Sequence, residues 1–340
     1  MEREQPCRAA RFGVECVPVS SPATVSAPTV HPIRLTSAHL RRVIGEPPGP
    51  LTGFLANLVL RPISKLRWGT RERLARFLGG IAYTLGIRRR VALENLAQAL
   101  PERSEEERRA IARGAYITMA RAVLEALADV DRMPPGWEQE EVVGAEAWQA
   151  LQAHLATGKG ALLVTAHFGN WELLGEILIH RGMPINALVR PLKGALNMRI
   201  AENRLRAGAG LIYPRGAVQE IVDAVGRGES VYMLLDQGIP TKGVFVPFFG
   251  RLASTTPAMA VAAQRTGVPA WVVMGVRDGL RMRVHIEGPF APPPVQEGKD
   301  PITEHTALVT AGLERIIRQY PEQWLWLHRR WKYAPPSQGV

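Results

Sequence analysis

The sequence predicts an α/β fold with a mostly parallel central sheet covered by helices on both faces. Three observations predict it. From about residue 142, short apolar runs alternate with segments of helical periodicity. The runs are almost continuously apolar, which is how strands buried on both faces read. A chain of 340 residues that is 46% hydrophobic is also long enough to bury a large core.

Taken in order, "ALLVTA" (161–166), "INALVR" (185–190), "VYMLLD" (231–236), "AWVVMGV" (270–276) and "MRVHIEG" (282–288) are the predicted strands. Helices are predicted over 170–181, 197–207, 218–227 and 257–266, and strand–helix alternation of this kind implies parallel pairing. The last two strands are expected to form an antiparallel hairpin about Asp278–Gly279, and a helix over 303–320 closes the domain. Upstream, Ser104 and Glu107 have the spacing of a capping box, opening a long helix. "DRMPPGW" interrupts that pattern at Pro134 and Pro135. Residues 1–50 hold eight of the 27 prolines, so 1–48 read as a disordered leader. The remaining divisions are a helical region over 49–135, an α/β catalytic domain over 136–333 and a tail over 334–340.

Charge narrows the partners. The net charge is +11, which calls for an anionic partner: nucleic acid, anionic lipid or an acidic protein. Between Arg61 and Arg90 nine Lys/Arg face a single acid, Glu72. The same window carries Leu74, Phe77, Leu78, Ile81, Ala82 and Leu85 at helical spacing. A basic amphipathic stretch suits an anionic membrane surface, so 49–135 is expected to face a membrane. No apolar run in it reaches the roughly 20 residues of a span, and the chain start lacks the apolar core of a secretory signal. No nucleic-acid-binding motif is present, and nucleic acid is not an expected partner. Two cysteines, Cys7 and Cys16, argue against a disulfide framework or a cysteine metal site, and no metal is expected.

Ligands of open α/β sheets bind at the carboxyl ends of the strands. There "ALLVTA" delivers His167, and "FGNWELLG" starts a helix with Glu172 in its first turn. Gly169 and Asn170 place backbone N–H groups at that helix start, where a developing oxyanion could be held. Asp236 ends "VYMLLD" at the same edge and is either part of the polar centre or a loop cap. The chain has no Gly-x-Ser-x-Gly elbow and no His-Glu-x-x-His pair, and "TGKG" precedes a strand. General-base chemistry by His167 without a covalent enzyme intermediate is what remains.

"HFGNWE" resembles the His-x4-Asp/Glu signature of glycerolipid-type acyltransferases, in the variant of the late acyltransferases of lipid A biosynthesis (lauroyl/myristoyl type). The resemblance extends over 74–333, through "RRRVALENLAQALPERSEEERRAIAR" (88–113), "LVRPL" (188–192), "LLDQG…GVFVPFFGRLASTTPAMAVAAQRTGVP" (234–269) and "PEQWLWLHRRWK" (321–332). It implies transfer of an acyl chain to a hydroxyl of a lipid A precursor, from an acyl carrier protein or coenzyme A thioester and without a cofactor. His167 would be the base and Glu172 its orienting partner, at the cytoplasmic face of the inner membrane. Related enzymes acylate other glycolipids, including mannosylated phosphatidylinositol. A phosphorylated acceptor calls for cations, and Arg190, Arg215, Lys242, Arg251, Arg329 and Arg330 are the candidates, with Asn170 as a polar contact. "VFVPFF" (244–249) reads either as a wall for acyl chain or membrane or as ordinary core. "WLWLHRRWK" suits a membrane interface or a phosphate site, and by composition nucleic acid as well.

Overall fold

The computed structural model describes residues 16–18, 58, 60–128, 141–190, 195–213 and 216–335. Helices α1 (Trp68–Thr84), α2 (Arg89–Ala99) and α3 (Glu105–Ala126) come first among the longer elements. Strands β2 (Glu141–Val143), β3 (Leu162–Thr165), β4 (Ile185–Leu188), β5 (Gly210–Ile212) and β6 (Ser230–Leu234) follow, separated by α4 (Ala145–Leu155), α5 (Trp171–His180), α6 (Ala195–Arg206) and α7 (Ala217–Gly226). A hairpin of β7 (Val244–Phe248) and β8 (Arg251–Thr255) leads through α8 (Ala258–Thr266) to β9 (Ala270–Asp278), β10 (Arg281–Phe290) and α9 (Pro301–Gln319). In the main sheet the order is β2-β10-β9-β3-β6-β4-β5, and Cys16–Pro18 adds β1 outside β2. The pairs β4–β5, β4–β6, β3–β6, β3–β9 and β2–β10 are parallel, whereas β9–β10 is the expected antiparallel hairpin.

Alternation along the strands feeds two cores. Leu162 and Val164 of β3 face one side with Met233, Val272, α3 and α9, while Leu163 faces the other with Tyr232, Trp271 and Leu174 of α5. Both faces are therefore covered, as the unbroken apolar runs require. The capping box is formed: Ser104 Oγ accepts from Glu107 N–H and the Glu107 carboxylate accepts from Ser104 N–H.

The structure departs from the sequence-based expectations at several points. β1 lies inside the segment read as a disordered leader; the rest of 1–48, the break at Pro134–Pro135 and the tail from 336 lie outside the described residues. "VFVPFF" is a strand with Val246, Phe248 and Phe249 buried, so core is the reading that holds for those three. Trp324, Trp326 and Arg330 of "WLWLHRRWK" are also fully buried. Arg71, counted among the surface cations, is buried and donates to the carbonyls of Leu66, Leu124 and Ser64. On α1 the face toward α3 is Arg71, Ala75 and Gly79, so Phe77, Leu78, Ile81 and Leu85 point outward. Phe77 is 64% exposed and Leu85 71%, too much for a helix that keeps its apolar stripe in the core. Among the described residues no helix is long and apolar enough to cross a membrane.

Candidate active site

The register of β3 on β6 sets the site. Leu162 lies opposite Val231 and Thr165 opposite Leu234, and the same offset continued by two residues brings His167 opposite Asp236. His167 Nδ1 lies 2.8 Å from Asp236 Oδ1, and His167 N–H donates to Oδ2 at 2.9 Å. Trp324 Nε1–H donates to Oδ2 as well, at 2.9 Å. Burial would raise the Asp236 carboxyl, but His167 and the N–H donors outweigh it and hold the carboxyl down at about 2. An ionised carboxylate only accepts, so in the neutral imidazole the proton sits on Nδ1 and Nε2 has the lone pair. Gln237 Nε2, 3.2 Å from that nitrogen, is the donor now facing it. The His167 side chain is 21% exposed against 2% for Asp236, so the imidazole reaches the surface while its carboxylate partner is sealed.

Glu172 sits elsewhere in the same cluster. Arg204 of α6 donates to it through Nε at 2.8 Å and Nη2 at 2.5 Å, and Trp171 Nε1–H donates at 2.9 Å. Burial raises this carboxyl, yet Arg204 more than compensates and it ends below the usual carboxylate range. Trp171, which donates to it, also meets the His167 ring edge-on at 4.9 Å between centroids. The carboxylate that orients His167 is thus Asp236, and Glu172 anchors Trp171 and α6.

The turn between His167 and α5 is held from behind. Gly169 has φ +54°, and a Cβ there would lie 2.1 Å from the Gly275 carbonyl oxygen, so only glycine fits. Its N–H donates to Gln323 O at 2.9 Å and is not available to an oxyanion. Asn170, 1% exposed, caps α5 through Oδ1 to Leu173 N–H and donates to Glu125. Glu125 in turn pairs with buried Arg277, so Asn170 serves the interior and not a ligand. Arg330 likewise donates inward, to Ser254 O and Thr255 Oγ1. Arg190, Lys242, Arg251 and Arg329 are exposed, with Arg251 over the Trp331 ring; Arg215 lies outside the described residues. The sequence alone does not single out Gln237 or Arg204, and Trp324 stands there only in the cationic aromatic run read as a membrane interface or phosphate site. Of the three, Gln237 alone carries a signal for the site, as the neighbour of Asp236. No group of three or more His, Cys, Asp or Glu side chains suited to a metal occurs among the described residues.

A doubly covered α/β sheet with a histidine–aspartate pair at the carboxyl edge of two central parallel strands defines an α/β protein with a candidate histidine base at its strand ends. Residues 48–333 match the family model for bacterial lipid A biosynthesis acyltransferases. The chain belongs to that family and is an O-acyltransferase. It is 29% identical over 287 residues to a lipid A biosynthesis lauroyltransferase of Escherichia coli (strain K12), covering 82% of this chain and 90% of the relative. A palmitoleoyltransferase of lipid A biosynthesis from the same organism is 27% identical over 264 residues, 74% of this chain and 81% of the relative. A phosphatidylinositol mannoside acyltransferase of Mycolicibacterium smegmatis (strain ATCC 700084 / mc(2)155) is 25% identical over 202 residues, 57% of this chain and 63% of its own length.

Proposed function

We propose that the enzyme transfers a fatty acyl chain from an acyl carrier protein thioester to a hydroxyl of a lipid A precursor, with His167 as general base and Asp236 as its orienting partner. The observation that carries this reading is the Nδ1–Asp236 bond, which leaves the Nε2 lone pair pointing away from the buried carboxylate. The acceptor hydroxyl displaces the Gln237 amide from Nε2 and gives its proton to that nitrogen as its oxygen attacks the thioester carbonyl. The tetrahedral intermediate then expels the thiolate, which takes the proton back from the imidazolium. Asp236 stabilises the imidazolium in between, and such a base contributes about 10²- to 10⁴-fold. The exposed cations Arg190, Lys242, Arg251 and Arg329 are the candidates for acceptor phosphates.

The acceptor is a lipid, and the outward face of α1 supports delivery from an anionic bilayer, at the cytoplasmic face of the inner membrane. Phe77, Ile81 and Leu85 would enter the interface while Arg73, Arg76, Arg88 and Arg90 meet anionic headgroups. Asn95 of α2 donates to the carbonyls of Trp326 and His328, which packs α2 onto the segment that carries Trp324. Mass spectrometry of lipid A from a deletion strain and its parent tests the reading. Loss of one acyl chain, restored by the wild-type gene and not by His167→Ala, is the expected result; unchanged lipid A would refute the acceptor.

A further inference from the structure

Acyl transfer to a hydroxyl passes through a tetrahedral intermediate whose carbonyl oxygen becomes an anion, and a donor aimed at that oxygen supplies a large share of such catalysis. At the turn after His167 the Gly169 N–H is taken by Gln323 O, and the Asn170 amide by Glu125. The side-chain donors bonded to the two carboxylates are committed as well: Trp171 and Arg204 serve Glu172, and Trp324 serves Asp236.

Gln237 differs from all of these. Its Nε2 stands 3.2 Å from His167 Nε2, and this is the one hydrogen bond its side chain makes among the described residues. The main chain on either side of it is fixed. Leu235 N–H donates to Thr165 O, and a Cβ on Gly238 would sit 3.3 Å from the Arg330 carbonyl oxygen, so the closing segment packs directly on that backbone. The amide thus pivots on its own side-chain bonds from an anchored backbone. To give up its proton, the acceptor hydroxyl must take the amide's place at Nε2. The oxyanion then forms on the carbon that this hydroxyl oxygen attacks, beside the nitrogen just displaced, and a donor to it works at about 2.7–3.1 Å. A neutral amide holds that anion without opposing the imidazolium, as a lysine or arginine there would.

We propose that Gln237 is a catalytic residue that donates through Nε2–H to the oxyanion of the tetrahedral intermediate, having covered the base until the acceptor arrives. The inference rests on the acyl-transfer reading. As the hydroxyl oxygen bonds to the thioester carbon, its proton goes to His167 Nε2 and the carbonyl electron pair moves onto the oxygen that Gln237 meets. Collapse restores the carbonyl, breaks the carbon–sulfur bond and returns the proton to the departing thiolate. Removing one such donor costs about 10²- to 10³-fold in kcat. The test is steady-state transfer by full-length wild type, Gln237→Leu, Gln237→Asn and Gln237→Glu, each with a melting curve. Gln237→Leu should lower kcat and kcat/KM together by that factor, with acceptor KM and melting temperature near wild type. Gln237→Glu keeps the shape without the donor and should fall at least as far, Gln237→Asn less. An alkylphosphonate monoester of a glucosamine hydroxyl, whose charged oxygen stands in for the oxyanion, gives a readout that a structural role would not move. Its inhibition constant should rise across the variants in proportion to the loss of kcat/KM. Folded Gln237→Leu that turns over within about threefold of wild type, or an inhibition constant that holds steady while kcat falls, would overturn the assignment. Wild-type enzyme that moves no acyl chain from a thioester would overturn the acyl-transfer reading and the assignment with it.

Discussion

Replacing Asp236 by Asn is a small change in shape that should disable the base. The carboxylate accepts three N–H donors: His167 N–H and Trp324 Nε1–H at Oδ2, and His167 Nδ1–H at Oδ1. Asparagine has one oxygen and one NH₂, so its best orientation keeps the oxygen on the two fixed donors and turns the NH₂ toward Nδ1. Nδ1 must then accept, the proton moves to Nε2, and the lone pair that takes the hydroxyl proton is gone. Loss of the base is worth about 10²- to 10⁴-fold in kcat, or roughly 3–5 kcal/mol in the barrier. KM for the acceptor should move little, because Asp236 is 2% exposed and touches no substrate. The assay is steady-state acyl transfer with a melting curve, supported by ¹⁵N NMR of the imidazole to read the tautomer. Turnover within threefold of wild type in a folded Asp236→Asn protein with Nε2 protonated would refute the reasoning.

Other outcomes follow from the same geometry. Arg204→Met leaves the Glu172 carboxylate buried without its cation and should lower stability by about 3 kcal/mol, whereas Glu172→Leu with Arg204→Met should recover most of the melting temperature. Gly169→Ala should destabilise the protein and remove activity together, since its Cβ and the Gly275 oxygen cannot share their space. Glu176 keeps its proton to about pH 8 in the fold but loses it near 4.5 when unfolded, so its contribution to stability is present below pH 4.5 and is lost on rising through 8. Glu176→Gln should therefore match wild type in melting temperature at pH 4 and exceed it at pH 9. Phe77→Ser with Leu85→Ser should release the protein from phosphatidylglycerol vesicles while melting temperature holds, because both side chains are exposed.

The sheet was legible because periodicity reports burial directly. "ALLVTA" could not be a half-exposed strand, and it emerged as β3, buried throughout. Short edge strands such as Gly210–Ile212 gave no such run and were missed. At the site, the place of His167 directly after a strand marks it in the sequence, and Asp236 stands at a strand end in the same way. The choice between Asp236 and Glu172 as its partner was not legible. It depends on the β3–β6 register, a non-local quantity, whereas the His-x4-Glu spacing is local and brought Glu172 forward. Nor could composition separate the buried Arg330 from the exposed Arg329 beside it, since both sit in one cationic aromatic run.

The most direct test of the central claim is transfer by the purified protein of an acyl chain from acyl carrier protein to a lipid A precursor, followed by mass spectrometry with wild type and His167→Ala side by side. Wild type should convert the precursor to a species heavier by one acyl group, and His167→Ala, equally folded by its melting curve, should fall by at least about 10²-fold. His167→Ala protein that turns over near the wild-type rate per folded molecule would contradict the account.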